Sequence, residues 1–257
     1  MSNNAFSNLN ADGAERNADN VGNSGFSVYP TNVYEMQIKY AYTGTSMSSK
    51  AMSVTIVGNI LNYNGSNTNP YSETLWITNK DGLNYSMSKD NKKKLLTGFQ
   101  TLDDICCLAT GKHLSQQSTV DKIIEKFDYD TKSMQKASVP VIEGLIDKKV
   151  TVAISQIKDF KRKKFDDGYK TINDFKDSNR IEKVFANDKH LTVNEILNKV
   201  ESSEFYNTWL EKHKGKVQDR TKDKKPEVIL ADNNTGSSAS PDIPSAEGVP
   251  TVDPFGA

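Results

Sequence analysis

The chain has 257 residues, a formal net charge of zero and 35% hydrophobic residues. This length accommodates one large domain or two small ones, and the chain has no apolar run of the roughly 18 residues that a transmembrane helix needs. We therefore expect a cytoplasmic protein without a membrane partner, because the first residues also lack the apolar core of a secretion signal.

The first part of the chain predicts an unstructured arm followed by four strands. Residues 1–28 are rich in Asn and lack apolar periodicity, which is typical of a disordered arm. Alternating or β-branched stretches then predict strands at Val33–Met47, Ala51–Tyr63, Glu73–Thr78 and Asn84–Ser88. One face of the first strand is predicted to hold Tyr34, Met36, Ile38, Tyr40 and Tyr42. Asn79-Lys80-Asp81-Gly82 predicts a hairpin turn between the last two strands, and Gly58 predicts a bulge or a close backbone approach.

A helical insertion is predicted at about residues 90–147. Thr101–Asp104 forms a capping sequence before a short helix, Ile105–Thr110, which Gly111 ends. Ser118 begins a second predicted helix that reaches Phe127, and Pro140–Ile146 predicts a further helical turn. The only cysteines are an adjacent pair in this insertion, Cys106 and Cys107, and they indicate reduced, buried thiols rather than a disulfide.

The remaining ordered part predicts strands and then a terminal helix. Strand patterns occupy Lys149–Phe160, Tyr169–Ile172 and Arg180–Phe185. Thr192 and Glu195 form a capping box for a helix to about His213, broken near Ser202 and Ser203. We predict a mainly β fold with helical insertions, an elaborated OB-type antiparallel barrel with a C-terminal helix, over residues 29–214. An antiparallel sandwich is the alternative. Residues 215–257 predict a flexible basic linker and an acidic tail.

Signatures of catalysis are missing from the sequence. The three histidines have no spacing typical of a zinc site, and no P-loop, GxGxxG or GxSxG motif occurs. The acidic pairs Asp103-Asp104 and Asp166-Asp167 would suit a magnesium nuclease, but the first lies in a predicted helix cap and the second follows a basic run. We therefore expect a protein that is not an enzyme and that needs no metal or cofactor.

An aromatic residue on a polar strand face is the first candidate nucleic-acid contact. On the strand Glu73–Thr78, Leu75 and Ile77 form the apolar face and Trp76 points the opposite way. One interpretation of this aromatic residue is that the helical insertion packs over the indole and buries it. The interpretation that we favour is a solvent-facing ring on which a base stacks. The same site is predicted to include Tyr85 across the hairpin, Tyr63 at a strand end and Lys80 at the turn.

The strongest electrostatic signal is the run Lys158-Asp159-Phe160-Lys161-Arg162-Lys163-Lys164-Phe165. Four consecutive cations between two phenylalanines, at a strand end, are typical of a phosphate track flanked by stacking rings. A solvated hairpin tip is the alternative. The predicted DNA-binding residues of this run are Lys158, Phe160, Lys161, Arg162, Lys163, Lys164 and Phe165.

Charge is segregated along the chain. Residues 148–225 hold 20 basic and 13 acidic residues, whereas residues 226–257 hold five acidic residues and no basic one. This pattern is typical of a nucleic-acid-binding body with an anionic tail that competes for its groove or recruits a partner. In the tail, Asp253 and Phe255 are the predicted partner-binding residues, through a charge-assisted contact and the burial of one ring.

Six stretches carry a likeness to a known family: Thr74–Asn79, Leu96–Cys106, Leu108–Lys112, Val139–Lys148, Phe205–Trp209 and Lys214–Lys216. Together they resemble the single-stranded DNA-binding proteins of tailed bacteriophages. The resemblance implies an OB-fold that coats replication or recombination intermediates in an infected bacterial cell, and an acidic C-terminal tail that recruits replication proteins. The chain departs from the usual tail, because its acids are few and spaced apart and Gly256-Ala257 follow Phe255.

We therefore expect sequence-independent binding of single-stranded DNA, with replication or recombination proteins as partners of the tail. Two alternatives stay open: a non-enzymatic accessory protein of a polymerase or virion, and an RNA-binding OB module. A nuclease is the least favoured, because both acidic pairs have another explanation.

Overall fold

The computed structural model describes residues 28–46, 49–128, 131, 133–222 and 224–229, with the backbone alone at 127 and 128. The elements are β1 (Asn32–Thr45), β2 (Met52–Ile60), β3 (Asn69–Trp76), β4 (Tyr85–Met87), β5 (Lys93–Leu95), α1 (Thr97–Thr110), β6 (Thr119–Asp128), β7 (Ser133–Ile142), β8 (Lys149–Phe165), β9 (Gly168–Phe185), α2 (Val193–Leu197), α3 (Glu204–His213) and β10 (Val217–Asp219). Two 3-10 turns span Leu114–Gln116 and Glu143–Leu145. Residues 1–27 of the predicted arm, and Asp253 and Phe255 of the predicted tail, lie outside the described residues.

The described strands form an eight-stranded sheet and a small two-stranded one. The larger sheet runs in the order β10-β8-β1-β2-β3, while β7 pairs with β1 and β6, and β9 pairs with β8. The registered pairs are antiparallel except β10 with β8, which is parallel. This confirms the prediction of a mainly β, antiparallel fold with few helices. The strand pairing does not close into a barrel over the described residues.

The chain divides into two compact units. We call the first the main unit; it comprises the described residues up to 158 together with 177–219. The second, the hairpin unit, comprises residues 159–176 and the described part of 220–229. The strands β8 and β9 each contribute residues to both units, so the distal halves of one hairpin form a unit separate from the main core.

A bulge between β1 and β2 changes which side chains of β1 are buried. Met36 and Ile38 are fully buried, but the register shifts between Ile38 and Tyr40, so Ala41 is buried next. The prediction of one face from Tyr34 to Tyr42 is therefore wrong beyond Ile38, because a bulge reverses the alternation. Opposite Ile38, a Cβ on Gly58 would lie 2.4 Å from the Gln37 carbonyl oxygen, which confirms the predicted close approach.

The strand β8 is buried on both faces. Val150, Val152 and Ile154 belong to the main hydrophobic cluster. Ala153, on the opposite face, packs with Phe185 of β9 and Trp209 of α3. A strand covered on both sides excludes water from its backbone hydrogen bonds, so the middle of the sheet is well supported.

The predicted helical insertion is only partly helical. The helix α1 begins at Thr97, so Thr101 and Leu102 are buried within it rather than capping it. The predicted helix from Ser118 to Phe127 is wrong: this segment is β6, which pairs along its whole length with β7. Its β-branched residues favour a strand, and pairing with β7 outweighs the capping signal of one serine. The turn predicted near Pro140–Ile146 reduces to the 3-10 turn, since Pro140 lies in β7.

Several helix boundaries lie where the sequence predicts them. Gly111 ends α1 in a left-handed conformation with φ of 72°, as expected. Thr192 and Glu195 form the predicted capping box of α2, and the predicted break near Ser203 separates α2 from α3. The two strand segments predicted between residues 169 and 185 belong to one continuous strand, β9.

Candidate nucleic-acid interface

An exposed indole lies at the end of β3 in the main unit. Trp76 is 50% exposed, whereas its neighbours Leu75 and Ile77 are buried. This confirms the predicted orientation, because alternate residues of a strand face opposite sides of the sheet. Half of the surface of this large aromatic side chain is open to solvent, so it offers a flat apolar face to a ligand. Its role in binding DNA stays a prediction.

The backbone beneath Trp76 is held on both sides. Trp76 pairs with Ser53 of β2, and the next amide, Ile77 N–H, donates to the Met52 carbonyl at 2.9 Å. On the other side α1 comes so close that a Cβ on Gly98 would lie 2.3 Å from the Trp76 carbonyl oxygen. The backbone that carries the indole is therefore held in place by β2 and α1. This reduces the conformational entropy that is lost when a base stacks on the ring.

Tyr85 does not lie where the predicted hairpin would place it, whereas Lys80 lies at the turn as predicted. The turn exists, since the Asn79 side-chain oxygen accepts from the amides of Asp81 and Leu83 at 2.9 Å each. However, β4 pairs with β5 and not with β3, so Tyr85 is not a cross-strand neighbour of Trp76. The Lys93 ammonium lies 4.7 Å from the centre of the Tyr85 ring, and Lys80 is exposed at the turn.

Tyr63 belongs to a cluster of tyrosines rather than standing alone. Its ring centre lies 5.1 Å from that of Tyr29 and 5.8 Å from that of Tyr34, both edge to face. Burial raises the pKa of Tyr34 to about 12, so its hydroxyl stays neutral and donates to the Pro30 carbonyl at 2.6 Å. Tyr34 and Tyr63 line a 490 Å³ pocket that Lys214 also borders. This is a second aromatic surface of the main unit, in which Tyr63 is half-buried.

In the hairpin unit, the sequence predicted the wrong ring to be exposed. Phe160 is only 7% exposed, because it stacks on Phe175 with ring centres 5.4 Å apart. Phe175 is 46% exposed and Tyr169 is 61% exposed, both on β9. These two rings are not next to the basic run in the sequence but on the opposite strand, so no local signal marks them. Phe165, at the end of β8, is half-buried.

The cations of the basic run differ in their surroundings. Lys158 is half-buried at the edge of the main unit, and Lys161 is paired with Asp174 at 2.6 Å. Arg162 donates to the Tyr169 carbonyl at 3.1 Å. Lys163 and Lys164 are exposed and form no ion pair with any residue that the structure describes. A phosphate therefore reaches Lys163 and Lys164 without breaking an ion pair such as that of Lys161, or a hydrogen bond such as that of Arg162.

A basic groove of about 530 Å³ lies within the hairpin unit. Its lining includes the cations Arg162, Lys176, Lys224 and Lys225. Asp159 and Glu227 also border it, and the Lys224 ammonium lies 3.9 Å from a carboxylate oxygen of Asp159. The described residues of the unit comprise ten basic and five acidic side chains, so the surface is strongly positive. Lysines 224 and 225 lie in the segment that the sequence predicted to be a flexible basic linker.

The three histidines have partners that their spacing did not indicate. His190 packs against Tyr206 with ring centres 4.4 Å apart, and His213 lies 5.1 Å from the indole of Trp209. His113 contacts the side chains of Asp103 and Cys107. The last contact brings together three groups that bind metals.

Glu73, three residues before Trp76 on β3, is a titrating group inside the main unit. Burial raises its pKa above the ordinary value of 4.5, and Glu182 adds to this while Arg180 opposes it. Its carboxyl accepts hydrogen bonds of 2.8 Å from the Ile181 amide and from the Tyr71 hydroxyl. The carboxyl thus joins β3 to β9, and both hydrogen bonds also lower its pKa without cancelling the effect of burial.

The raised pKa of Glu73 predicts a pH-dependent stability. Between pH 4.5 and its raised pKa, the folded protein keeps a proton that the unfolded chain has released. The free energy of unfolding should therefore fall as the pH rises through this interval. Glu73→Gln keeps an oxygen acceptor for Ile181 but does not titrate, so urea unfolding at several pH values should show a smaller fall. Glu125→Gln, on β6, should leave the fall unchanged, and a wild-type profile without the fall would contradict the prediction.

Comparison with known proteins adds no family to these observations. No protein-family model matches the chain, and a search of curated proteins finds no match. Among the described residues, no helix is both long and apolar enough to cross a membrane.

Proposed function

We propose that the protein is a non-catalytic, sequence-independent binder of single-stranded DNA. The observation that carries the proposal is that the hairpin unit combines the exposed rings of Tyr169 and Phe175 with a basic groove. A single strand offers two features that every sequence shares, namely a phosphate on each nucleotide and the flat face of each base. Cations and exposed rings contact these two features without reading the sequence.

The expected energetics follow from these two kinds of contact. Each base stacked on an aromatic ring contributes about 1–3 kcal/mol. Each neutralised phosphate releases a counterion, so for single strands the logarithm of the affinity falls with the logarithm of the salt concentration by about 0.7 per contact. The indole of Trp76 in the main unit is a further platform of the same kind. We therefore infer salt-sensitive binding with little preference among bases.

The biological setting that we propose comes from the resemblance to phage single-stranded DNA-binding proteins. It favours DNA over RNA, an OB-type arrangement of the strands, and a role in replication or recombination inside an infected bacterial cell. The anionic segment after residue 226 would then recruit replication or recombination proteins through Asp253 and Phe255. Basic residues are abundant before this segment and absent within it. This charge pattern supports DNA binding by the preceding residues and partner binding by the segment itself.

A titration with a fluorescent 20-nucleotide strand tests the proposal. If the four cations of the basic groove, together with Lys163 and Lys164, each contact a phosphate, raising the salt fourfold, from about 0.05 to 0.2 M, should weaken binding about 300-fold. Oligo(dT) and a mixed sequence should bind with comparable affinity, and duplex DNA more weakly. Equal or tighter binding of an RNA strand would favour the RNA-binding alternative, and no binding at the lower salt would favour an accessory protein.

A further inference from the structure

Three side chains with different metal-binding atoms converge where α1 ends. Asp103 and Cys107 are four residues apart on α1, and therefore lie on the same face of the helix. The left-handed Gly111 then turns the chain, and His113 returns to that face. Its Nδ1 atom lies 2.9 Å from a carboxylate oxygen of Asp103 and 3.3 Å from the sulfur of Cys107. The three donor atoms all lie within 4.8 Å of one another.

These separations suit a tetrahedral ion. A zinc ion binds sulfur at about 2.3 Å and nitrogen or oxygen at about 2.0–2.2 Å. Tetrahedral angles then place the donor atoms about 3.3–3.6 Å apart. The sulfur-to-nitrogen distance of 3.3 Å and the nitrogen-to-oxygen distance of 2.9 Å each need to lengthen by only a few tenths of an ångström. We propose that Asp103, Cys107 and His113 form a site for a divalent transition-metal ion, with Zn²⁺ as the preferred ion.

The surroundings hold two of the three ligands in place. The second carboxylate oxygen of Asp103 accepts from the Leu114 amide at 2.7 Å, which leaves the first oxygen for the ion. The His113 amide donates to the Gln116 side chain at 2.9 Å, and the Gln116 amide donates to the His113 carbonyl at 2.9 Å. Such outer contacts orient metal ligands and raise the affinity of a site. The ion would join the loop after α1 to the helix itself.

The set of donor atoms decides which ions would bind. A thiolate and an imidazole select Zn²⁺ or Co²⁺ over Mg²⁺ and Ca²⁺, which prefer oxygen ligands. The His113 side chain is mostly exposed, so water is available for the fourth position. Cys106 is fully buried in the main hydrophobic cluster, so it does not reach the ion. The Cys106 thiol therefore serves as a control, because its removal should leave metal binding unchanged.

Titration of the reduced full-length protein with Co²⁺ tests this site. Cobalt bound to a thiolate gives an intense charge-transfer absorption in the near ultraviolet, and we expect one Co²⁺ per chain that Zn²⁺ displaces. Cys107→Ser should abolish the absorption. His113→Gln, at an exposed position, should weaken Co²⁺ binding by more than about tenfold, the loss typical even of outer-shell changes.

Two controls separate the site from other metal binding. Cys106→Ala and His213→Gln each remove a residue of the same type elsewhere, and both should retain the absorption and the stoichiometry. Circular dichroism shows whether each variant is folded. The proposal is overturned if the wild-type protein gives no thiolate-to-cobalt absorption, or if the absorption survives in folded Cys107→Ser. Since this readout involves no DNA, it is independent of the proposed function.

Discussion

We expect poly(dT) to quench the tryptophan fluorescence of the wild-type protein strongly, and the Trp76→Phe variant to lose most of that quenching. Trp76 is 50% exposed, whereas Trp209 is only 6% exposed, so stacked bases reach the first indole and not the second. A phenyl ring still stacks, so the affinity should fall by less than about tenfold, or 1.4 kcal/mol. Fluorescence titration at low salt measures the quenching, and a labelled oligonucleotide measures the affinity.

The matched control for this prediction is Trp209→Phe. Trp209 packs on Ala153 and Phe185 beneath α3, so replacing it should lower stability while leaving the DNA-dependent quenching intact. We therefore expect Trp76→Phe to lose quenching but not stability, and Trp209→Phe to lose stability but not quenching. The opposite result would be loss of quenching in Trp209→Phe and its retention in Trp76→Phe. It would show that the DNA does not stack on Trp76, and that this indole takes no part in the proposed function.

Much of the sheet was predictable because its signal is local. The strands β1, β2, β3 and β8 each alternate or concentrate β-branched residues over enough positions to show a period of two. The orientation of Trp76 followed from the same rule, since its neighbours Leu75 and Ile77 fix the buried face. The capping box of α2 was equally local, because Thr192 and Glu195 are only three residues apart.

The errors arose where structure depends on distant partners. β6 was predicted as a helix because its pairing with β7 is not visible in its own sequence. Tyr85 was placed beside Trp76 because a good turn sequence implied a hairpin, yet β4 pairs with β5. The basic run predicts Phe160 as a base-stacking ring, but its burial depends on Phe175 of the opposite strand. In each case a tertiary contact overrode the local pattern.

The metal-binding cluster was missed because one helix boundary was misplaced. With α1 starting at Ile105, Asp103 lay in a cap, and its position one turn before Cys107 was not recognised. The actual start at Thr97 puts both residues on one helical face. The left-handed turn at Gly111 then determines that His113 faces them. Spacing motifs for zinc assume repeated ligand types, so a set of three different ligands gives no recognisable pattern.

The second large effect is expected from the Lys163→Gln/Lys164→Gln double variant. Both lysines are exposed without an ion pair among the described residues, so their loss removes phosphate contacts and leaves the folded protein intact. Two lost contacts should reduce the salt slope by about 1.4, which at about 0.1 M salt corresponds to a roughly 25-fold weaker affinity. Titrations of a labelled single strand at several salt concentrations give both quantities.

Net charge alone must be separated from local contact. The Lys122→Gln/Lys136→Gln double variant removes the same charge from exposed positions on the β6–β7 hairpin of the main unit. If the hairpin unit binds the phosphates, this control should keep nearly the full salt slope, because counterion release requires close contact and not merely a positive protein. Equal losses in both double variants would mean that general charge attraction drives binding. An unchanged slope in the first would show that its two lysines touch no phosphate, and the binding surface would then have to be sought on the main unit.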